Sequence, residues 1–158
     1  MKVKTTRFGE IEVREEDILT FPRGLIGFPS LKRYVLLDHP GGGPFKWLQA
    51  LDQPQTAFAV TDPLIFFPDY RIPVSLEDLA EIKIKDPSDG VVVVILVVPK
   101  DPYRITANLQ GPLVINVKER LGMQLVLNVP GYTTKPVSYT HLRAHETRHD
   151  LVCRLLLE

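Results

Sequence analysis

Apolar residues in this chain fall in short bursts, and proline or glycine interrupts them at close intervals. Fourteen prolines in 158 residues leave little room for long helices. An interior proline removes a backbone donor and clashes with the preceding turn. Residues 3–8 and 10–13 flank Gly9, and the second segment alternates polar and apolar. That pattern predicts an opening hairpin with one face buried. Residues 34–38, 46–51 and 57–61 predict three further strands. Residues 91–98 are β-branched almost throughout and end at Pro99, as a central strand covered on both faces would. Residues 105–109, 113–117 and 124–127 complete the set.

One helix is signalled. Ser75 can cap it, and Asp78 stands three residues on, a variant of the capping box. Leu76, Leu79 and Ala80 supply an apolar stripe, with Glu77, Asp78 and Glu81 facing outward. Many short strands with little helix predict a mainly β fold: a compact antiparallel barrel or sandwich with one or two short helices. Residues 1–136 read as one barrel-like domain, of a size that buries a sizeable core without staples.

Composition narrows the function. Lys plus Arg and Asp plus Glu both number 19, so the chain lacks the basic excess of a dedicated nucleic-acid binder. The single cysteine, Cys153, rules out an internal disulfide. The N-terminal residues lack the apolar core of a signal peptide. The longest apolar run, 91–98, is eight residues, short of the roughly 20 that span a bilayer. The expected location is the cytoplasm, with no membrane contact.

No catalytic set emerges from residues 1–136. His39 is the sole histidine there, and it lies beside Pro40. Without a second histidine or a thiol, Ser-His and Cys-His nucleophiles lack material. Gly41-Gly42-Gly43-Pro44 precedes a strand pattern rather than a helix, so it reads as a hairpin loop and not a phosphate cradle. Gly24 and Gly27 read as tight-turn residues with positive φ. The expectation is a protein without enzymatic activity, cofactor or metal.

The last 22 residues differ in character. His141, His145, His149 and Cys153 fall at intervals of four, the spacing of a metal stripe on a helix. Each such step overshoots a full turn by about 40°, so the outer two positions splay about 120° apart and one straight helix offers only an adjacent pair. Three of the four histidines and the only cysteine are concentrated here. Residues 137–150 resemble translated sequencing-adaptor DNA, so 137–158 is expected to be a non-native tail.

Three segments, in order, resemble the FliW family of flagellar assembly factors. The first is Phe21-Pro22-Arg23-Gly24-Leu25-Ile26-Gly27-Phe28-Pro29. The second runs from Phe45-Lys46-Trp47-Leu48-Gln49-Ala50-Leu51 through Phe58-Ala59-Val60-Thr61-Asp62-Pro63 to Pro68-Asp69-Tyr70. The third is Ile105-Thr106-Ala107-Asn108-Leu109-Gln110-Gly111-Pro112-Leu113-Val114-Ile115-Asn116, continuing to Gly122-Met123-Gln124-Leu125-Val126-Leu127 and Tyr132. The resemblance spans residues 1 to about 136 and departs at Val137. It implies a compact antiparallel β-barrel that binds the RNA-binding regulator CsrA and relieves its repression of flagellin translation. It also implies binding to flagellin, which competes for the factor and releases CsrA. The free protein is expected to be a monomer, and antagonism of CsrA to be allosteric.

A basic RNA-binding partner favours an acidic patch through complementarity and steering. Glu77, Asp78 and Glu81 on the helix form one candidate. Glu15, Glu16 and Asp17, with Glu12 nearby, form a second. Solvated faces are the plainer reading of both, and Gly24, Gly27, Phe28, Asn108 and Pro112 read most simply as turn builders. The main rival is an OB-type barrel binding single-stranded RNA, with Trp47, Phe66, Phe67 and Tyr70 as stacking aromatics. Its basic residues are dispersed, which counts against it. A small-molecule enzyme or ligand barrel, with a deep pocket of convergent polar groups, ranks last.

Overall fold

Gly9 takes φ 69° and turns the chain between β1 (Lys2–Thr5) and β2 (Gly9–Glu12), which pair antiparallel with Val3 opposite Ile11. This is the expected opening hairpin. The Thr5 hydroxyl donates to the Gly9 carbonyl at 2.8 Å and accepts from the Phe8 N–H at 2.8 Å, which fixes the turn. The computed structural model describes residues 2–38, 45–97 and 106–127 in full, and the backbone of 135–136 and 153–154.

The strands that follow are β3 (Ile18–Thr20), β4 (Arg33–Asp38), β5 (Phe45–Ala50), β6 (Ala57–Thr61), β7 (Gly90–Val97), β8 (Thr106–Ala107), β9 (Leu113–Asn116) and β10 (Leu121–Gln124). Two-residue strands β11 (Lys135–Pro136) and β12 (Cys153–Arg154) complete them. Hydrogen bonding runs β7-β6-β5-β4-β3-β10-β9, and β9 pairs back onto β7. Seven strands therefore close into a barrel. Pairings within the ring are antiparallel except one, a parallel contact between β3 and β10 at Thr20 and Leu121.

Alternation along the strands sorts the core. Leu19, Tyr34, Leu48, Val60, Val93 and Leu113 point to one side and fill the barrel lumen. On β7 the neighbouring residues Val92, Val94 and Leu96 point the other way, into a second cluster outside the ring. Residues 91–96 are thus covered on both faces, as the nearly unbroken β-branched run predicts, whereas Val97 at the strand end is exposed. A third cluster, Val3, Val13 and Val35, lies where the β1–β2 hairpin covers the outer face of β3 and β4.

The second outer face is covered by the chain between β6 and β7, built from 3₁₀ turns. Its longest helix is Leu76–Ile82. Ser75 donates its N–H to Asp78 Oδ2 at 2.9 Å, the expected cap. The buried stripe differs from the expected one. Leu79 and Ile82 are buried, Leu76 packs against them, and Ala80 is exposed. A 3₁₀ helix repeats every three residues, so positions 76, 79 and 82 align, where an α-helix would have selected Ala80. Burial of each large aliphatic side chain here contributes about 1.5–3 kcal/mol. Lys83 ends the helix in the left-handed conformation at φ 62°. The wholly buried Asn116 then donates to the carbonyls of Ile82 at 2.9 Å and Lys83 at 3.2 Å.

One end of the barrel is sealed by residues 21–31. Phe21 is buried and meets Tyr34 edge-on at 5.4 Å, and Phe28 meets Phe58 at 5.3 Å. The turn needs its glycines: Gly24 stands at φ 65° and Gly27 at φ 88°. Gln124 braces it, accepting from the Ile26 N–H at 2.8 Å and donating to the Gly111 carbonyl at 3.0 Å.

Two expectations shift in detail. Residues 18–20 form a barrel strand the pattern did not mark, because three residues are too few to show an alternation. The strand expected at 124–127 begins earlier, at Leu121, and Leu125 and Leu127 continue the ladder through their N–H groups to Pro112 and Gln110. His39, Gly41, Gly42, Gly43, Pro99, Ile105, Tyr132, His141, His145 and His149 lie outside the described residues.

Candidate functional site

Val13 is buried and anchors the chain as it leaves the hairpin. The next residues then turn as a 3₁₀ segment, Glu15–Asp17, closed by the Asp17 N–H to the Arg14 carbonyl at 2.9 Å. Ile18 resumes extended backbone and starts β3. The turn therefore projects Glu15, Glu16 and Asp17 from the barrel wall, all exposed. Arg14 bridges two of them, at 3.1 Å to Glu16 and 3.1 Å to Asp17. The hydrogen bond that Arg14 donates to the Asp17 carboxylate, then the charges of Asp17 and Glu16, raise the Arg14 pKa. Exposed pairs of this kind add little stability, so their chief product is a local field.

That field borders an opening into the barrel. A cavity of about 390 Å³ lies at the end opposite the 21–31 seal. Its walls are apolar: Leu19, Leu36, Val91, Val93 and Ile115 from the lumen side, with Val35, Leu37 and the exposed Val117 beside them. Its rim carries Glu12, Glu16 and Asp17, answered by Arg120. One of the two acidic candidates thus stands at the edge of an apolar groove. Such a surface accepts aliphatic side chains flanked by basic ones, since apolar burial supplies affinity and charge supplies orientation.

The helix candidate is arranged differently. Asp78 is engaged in capping through its Oδ2. Glu81 accepts from Arg23 Nε at 3.0 Å, which ties the helix to the sealing turn. Glu77 is exposed and makes no ion pair among the described residues. These three residues share an element without converging on a groove. A second cavity, of about 610 Å³, lies beyond the helix C-terminus and is lined by Lys83, Lys85, Lys118, Asp89 and Glu119 around Asn116. Its charges are mixed, and the amide of Asn116 is already engaged by the helix carbonyls, so no reacting group is presented there.

The aromatics weighed for RNA stacking are turned inward. Tyr70 is buried and donates its hydroxyl to the Leu109 carbonyl at 2.6 Å. Phe66, Phe67 and Trp47 pack against the outer core cluster, and the Arg7 guanidinium covers the Trp47 ring at 4.0 Å. Among the described residues, no group of three His, Cys, Asp or Glu is placed to hold a metal. No helix among them is long and apolar enough to cross a membrane, which leaves strand-based spanning unaddressed.

Sequence reasoning found the acidic rim but not the groove. Leu36, Leu37, Val91 and Val117 meet only because the ring closes, and their spacing in sequence carries no trace of that. One local signal exists. Leu36 and Leu37 are adjacent, face opposite sides of β4, and are both half-buried, as residues at a barrel end are.

Comparison with known proteins supplies the family. A family model described as "FliW protein" matches residues 2–137. The flagellar assembly factor FliW of Natranaerobius thermophilus is 46% identical over 136 residues, covering 85% of this chain and 90% of that protein. The flagellar assembly factor FliW of Moorella thermoacetica is 43% identical over 136 residues, covering 85% and 86%. A crystal structure of the flagellar assembly factor FliW superposes with a TM-score of 0.79 at 38% identity, covering 85% of this chain and 94% of that one. With the barrel, its seal and the matched span in agreement, this chain belongs to the FliW family of flagellar assembly factors.

Proposed function

We propose that this protein is a non-enzymatic, cytoplasmic partner switch: it binds a CsrA-type translational regulator, relieves repression of flagellin translation, and is drawn off by flagellin. Family membership supports the flagellar role. The observation that carries the reading is the apolar groove at the open barrel end with Glu12, Glu16 and Asp17 on its rim. A regulator that binds RNA carries basic surface, and an acidic rim steers it while the groove takes its apolar side chains. Antagonism of the regulator is allosteric, and the protein makes no direct contact with nucleic acid, a reading supported by the equal numbers of basic and acidic residues. The free form is a monomer. Residues 1–136 form the working domain, and 137–158 form a non-native tail, a reading supported by the break in composition at Val137.

Calorimetric titration of the 158-residue chain into a CsrA-type regulator tests this. Saturable binding that flagellin abolishes is expected, and Glu16→Lys should weaken it. The absence of heat from two folded proteins overturns the regulator reading. Salt-sensitive binding of single-stranded RNA by the chain alone, measured by fluorescence anisotropy, would replace it with the RNA-binding one.

A further inference from the structure

The turn between β9 and β10, residues 117–120, shares its side chains between two cavities. Val117 and Arg120 line the apolar groove, whereas Lys118 and Glu119 line the cavity beyond the helix C-terminus, with Lys83 and Lys85. The turn is thus a ridge between them, and charge divides along it. Residues 12–17 give the groove its acidic rim, through Glu12, Glu16 and Asp17. The ridge and the cavity behind it gather four cations, Arg120, Lys118, Lys83 and Lys85. Two carboxylates offset them in part. Glu119 lies 3.8 Å from Lys83, and Asp89 accepts from the N–H groups of Lys85 and Asp86 at 3.2 and 3.1 Å. Arg120, Lys118 and Lys85 make no ion pair among the described residues.

The backbone marks the same residues. Among the described residues, Lys83 at φ 62° and Arg120 at φ 56° are the two that combine a side chain with positive φ, and both are cations of this set. Lys83 owes its conformation to the end of the helix. Nothing in the β9–β10 turn calls for arginine at position 120, since glycine takes that conformation without the Cβ strain. The Arg120 carbonyl accepts from the Thr20 N–H at 2.9 Å, at the seam where Leu121 pairs with Thr20, so its backbone is pinned while its side chain is exposed. What the strained residue supplies is a guanidinium rooted at the mouth of an apolar groove. Strain of this kind clusters at ligand clamps.

We propose that this surface reads charge polarity: Arg120, backed by Lys118, Lys83 and Lys85, receives acidic side chains at one end of a bound segment. The aliphatic middle of that segment fills the groove, and its basic end meets Glu12, Glu16 and Asp17. The proposal deepens the reading of the groove as the seat of the regulator and rests on it for the identity of the partner. Apolar burial supplies affinity, and the two charged banks fix which way round the segment lies. A segment basic at both ends sets like charge against the ridge and is rejected.

Fluorescence anisotropy with synthetic peptides tests this on the full chain. The probe has two lysines, four leucines and two glutamates in that order, with both ends blocked. It should bind at least tenfold more tightly than a control in which lysines replace the glutamates. A second control, with serines in place of the glutamates and a free terminal carboxylate, should bind as weakly as the first. Equal affinity of that control assigns the ridge to a chain terminus and overturns the side-chain reading. Arg120→Gly should weaken binding of the probe about tenfold without weakening the all-basic control. Relief of the left-handed strain should keep its urea midpoint at or above that of the unaltered chain, so the loss is not one of folding. Arg120→Lys should stay within about threefold of the unaltered affinity, because the charge is kept. No binding of the probe, no preference between probe and control, or equal losses for both peptides in Arg120→Gly overturns the proposal. None of these readouts uses the regulator. Peptide polarity without regulator heat sinks the regulator reading alone, and regulator heat without peptide polarity sinks this one alone.

Discussion

Gly24 and Gly27 share the left-handed conformation but differ in what surrounds them, and this separates two costs that are usually confounded. A Cβ on Gly27 meets nothing within 4 Å. A Cβ on Gly24 lies 2.5 Å from the Phe28 carbonyl oxygen and 2.8 Å from both Cα and O of Pro29, all backbone atoms that cannot swing aside. An L-residue in this conformation costs roughly 1–2 kcal/mol. Restricting the unfolded chain offsets about 0.4–1 kcal/mol of that. Gly27→Ala should therefore destabilise by about 1 kcal/mol. Overpacking adds about 1–3 kcal/mol, which places Gly24→Ala near 3 kcal/mol. Urea unfolding followed by the fluorescence of the single tryptophan, Trp47, measures both. The difference should appear as a midpoint shift with unchanged slope, and as roughly 4–8 °C in Tm between the variants. Equal destabilisation within about 0.5 kcal/mol would refute the argument, because the Phe28 carbonyl would then not be held against Gly24.

Three further outcomes follow from the same reading. Asn116→Ala leaves the carbonyls of Ile82 and Lys83 without their donor and the Glu119 N–H without its acceptor. It should cost about 2–3 kcal/mol, and hydrogen exchange should rise first across residues 76–84. Tyr34 is wholly buried, its hydroxyl has no hydrogen-bond partner among the described residues, and burial pushes its pKa up to about 12. Tyr34→Phe should stabilise by about 1 kcal/mol in chemical denaturation. The unfolded state loses this proton first, at about 10, so the Tyr34 contribution holds below pH 10 and is lost as pH rises from there through 12. The phenylalanine variant should lack that part of the alkaline decline. At the groove, Glu16→Lys with Asp17→Lys should weaken regulator binding at least tenfold and flatten its salt dependence, while Glu77→Lys should change neither.

What the sequence could and could not disclose divides along physical lines. The run at 91–98 announced a strand covered on both sides, since a near-continuous run of apolar, mostly β-branched residues suits a doubly buried strand, and residues 91–96 are so covered. Gly24 and Gly27 announced a turn, because an L-residue there is strained, and both have positive φ. The capping pair Ser75 and Asp78 announced a helix start, yet the pitch of that helix depends on how Leu76, Leu79 and Ile82 meet the sheet. Ala80 was therefore placed on the wrong side. Closure was not legible at all. It rests on β9 returning to β7 and on a single contact between Thr20 and Leu121, with no counterpart in local pattern. The groove inherits that illegibility, because it exists only where the closed ring ends. Its acidic rim was readable as charge, and its apolar floor was not readable as a floor.

The lone parallel contact between β3 and β10 has a consequence for the birth of the molecule. Its partners, Thr20 and Leu121, lie at opposite ends of the barrel sequence, and the Thr20 N–H to the Arg120 carbonyl at 2.9 Å reinforces them. A nascent chain emerging from the ribosome holds β3 to β6 as a meander long before β10 is synthesised. During that interval β3 is a bare edge, and the lumen residues Leu19, Tyr34 and Leu48 lack their far wall. Closure of so long a loop is slow by its topology. The ring is therefore sealed last at the seam that also holds the fewest bonds, and thermal opening should begin there.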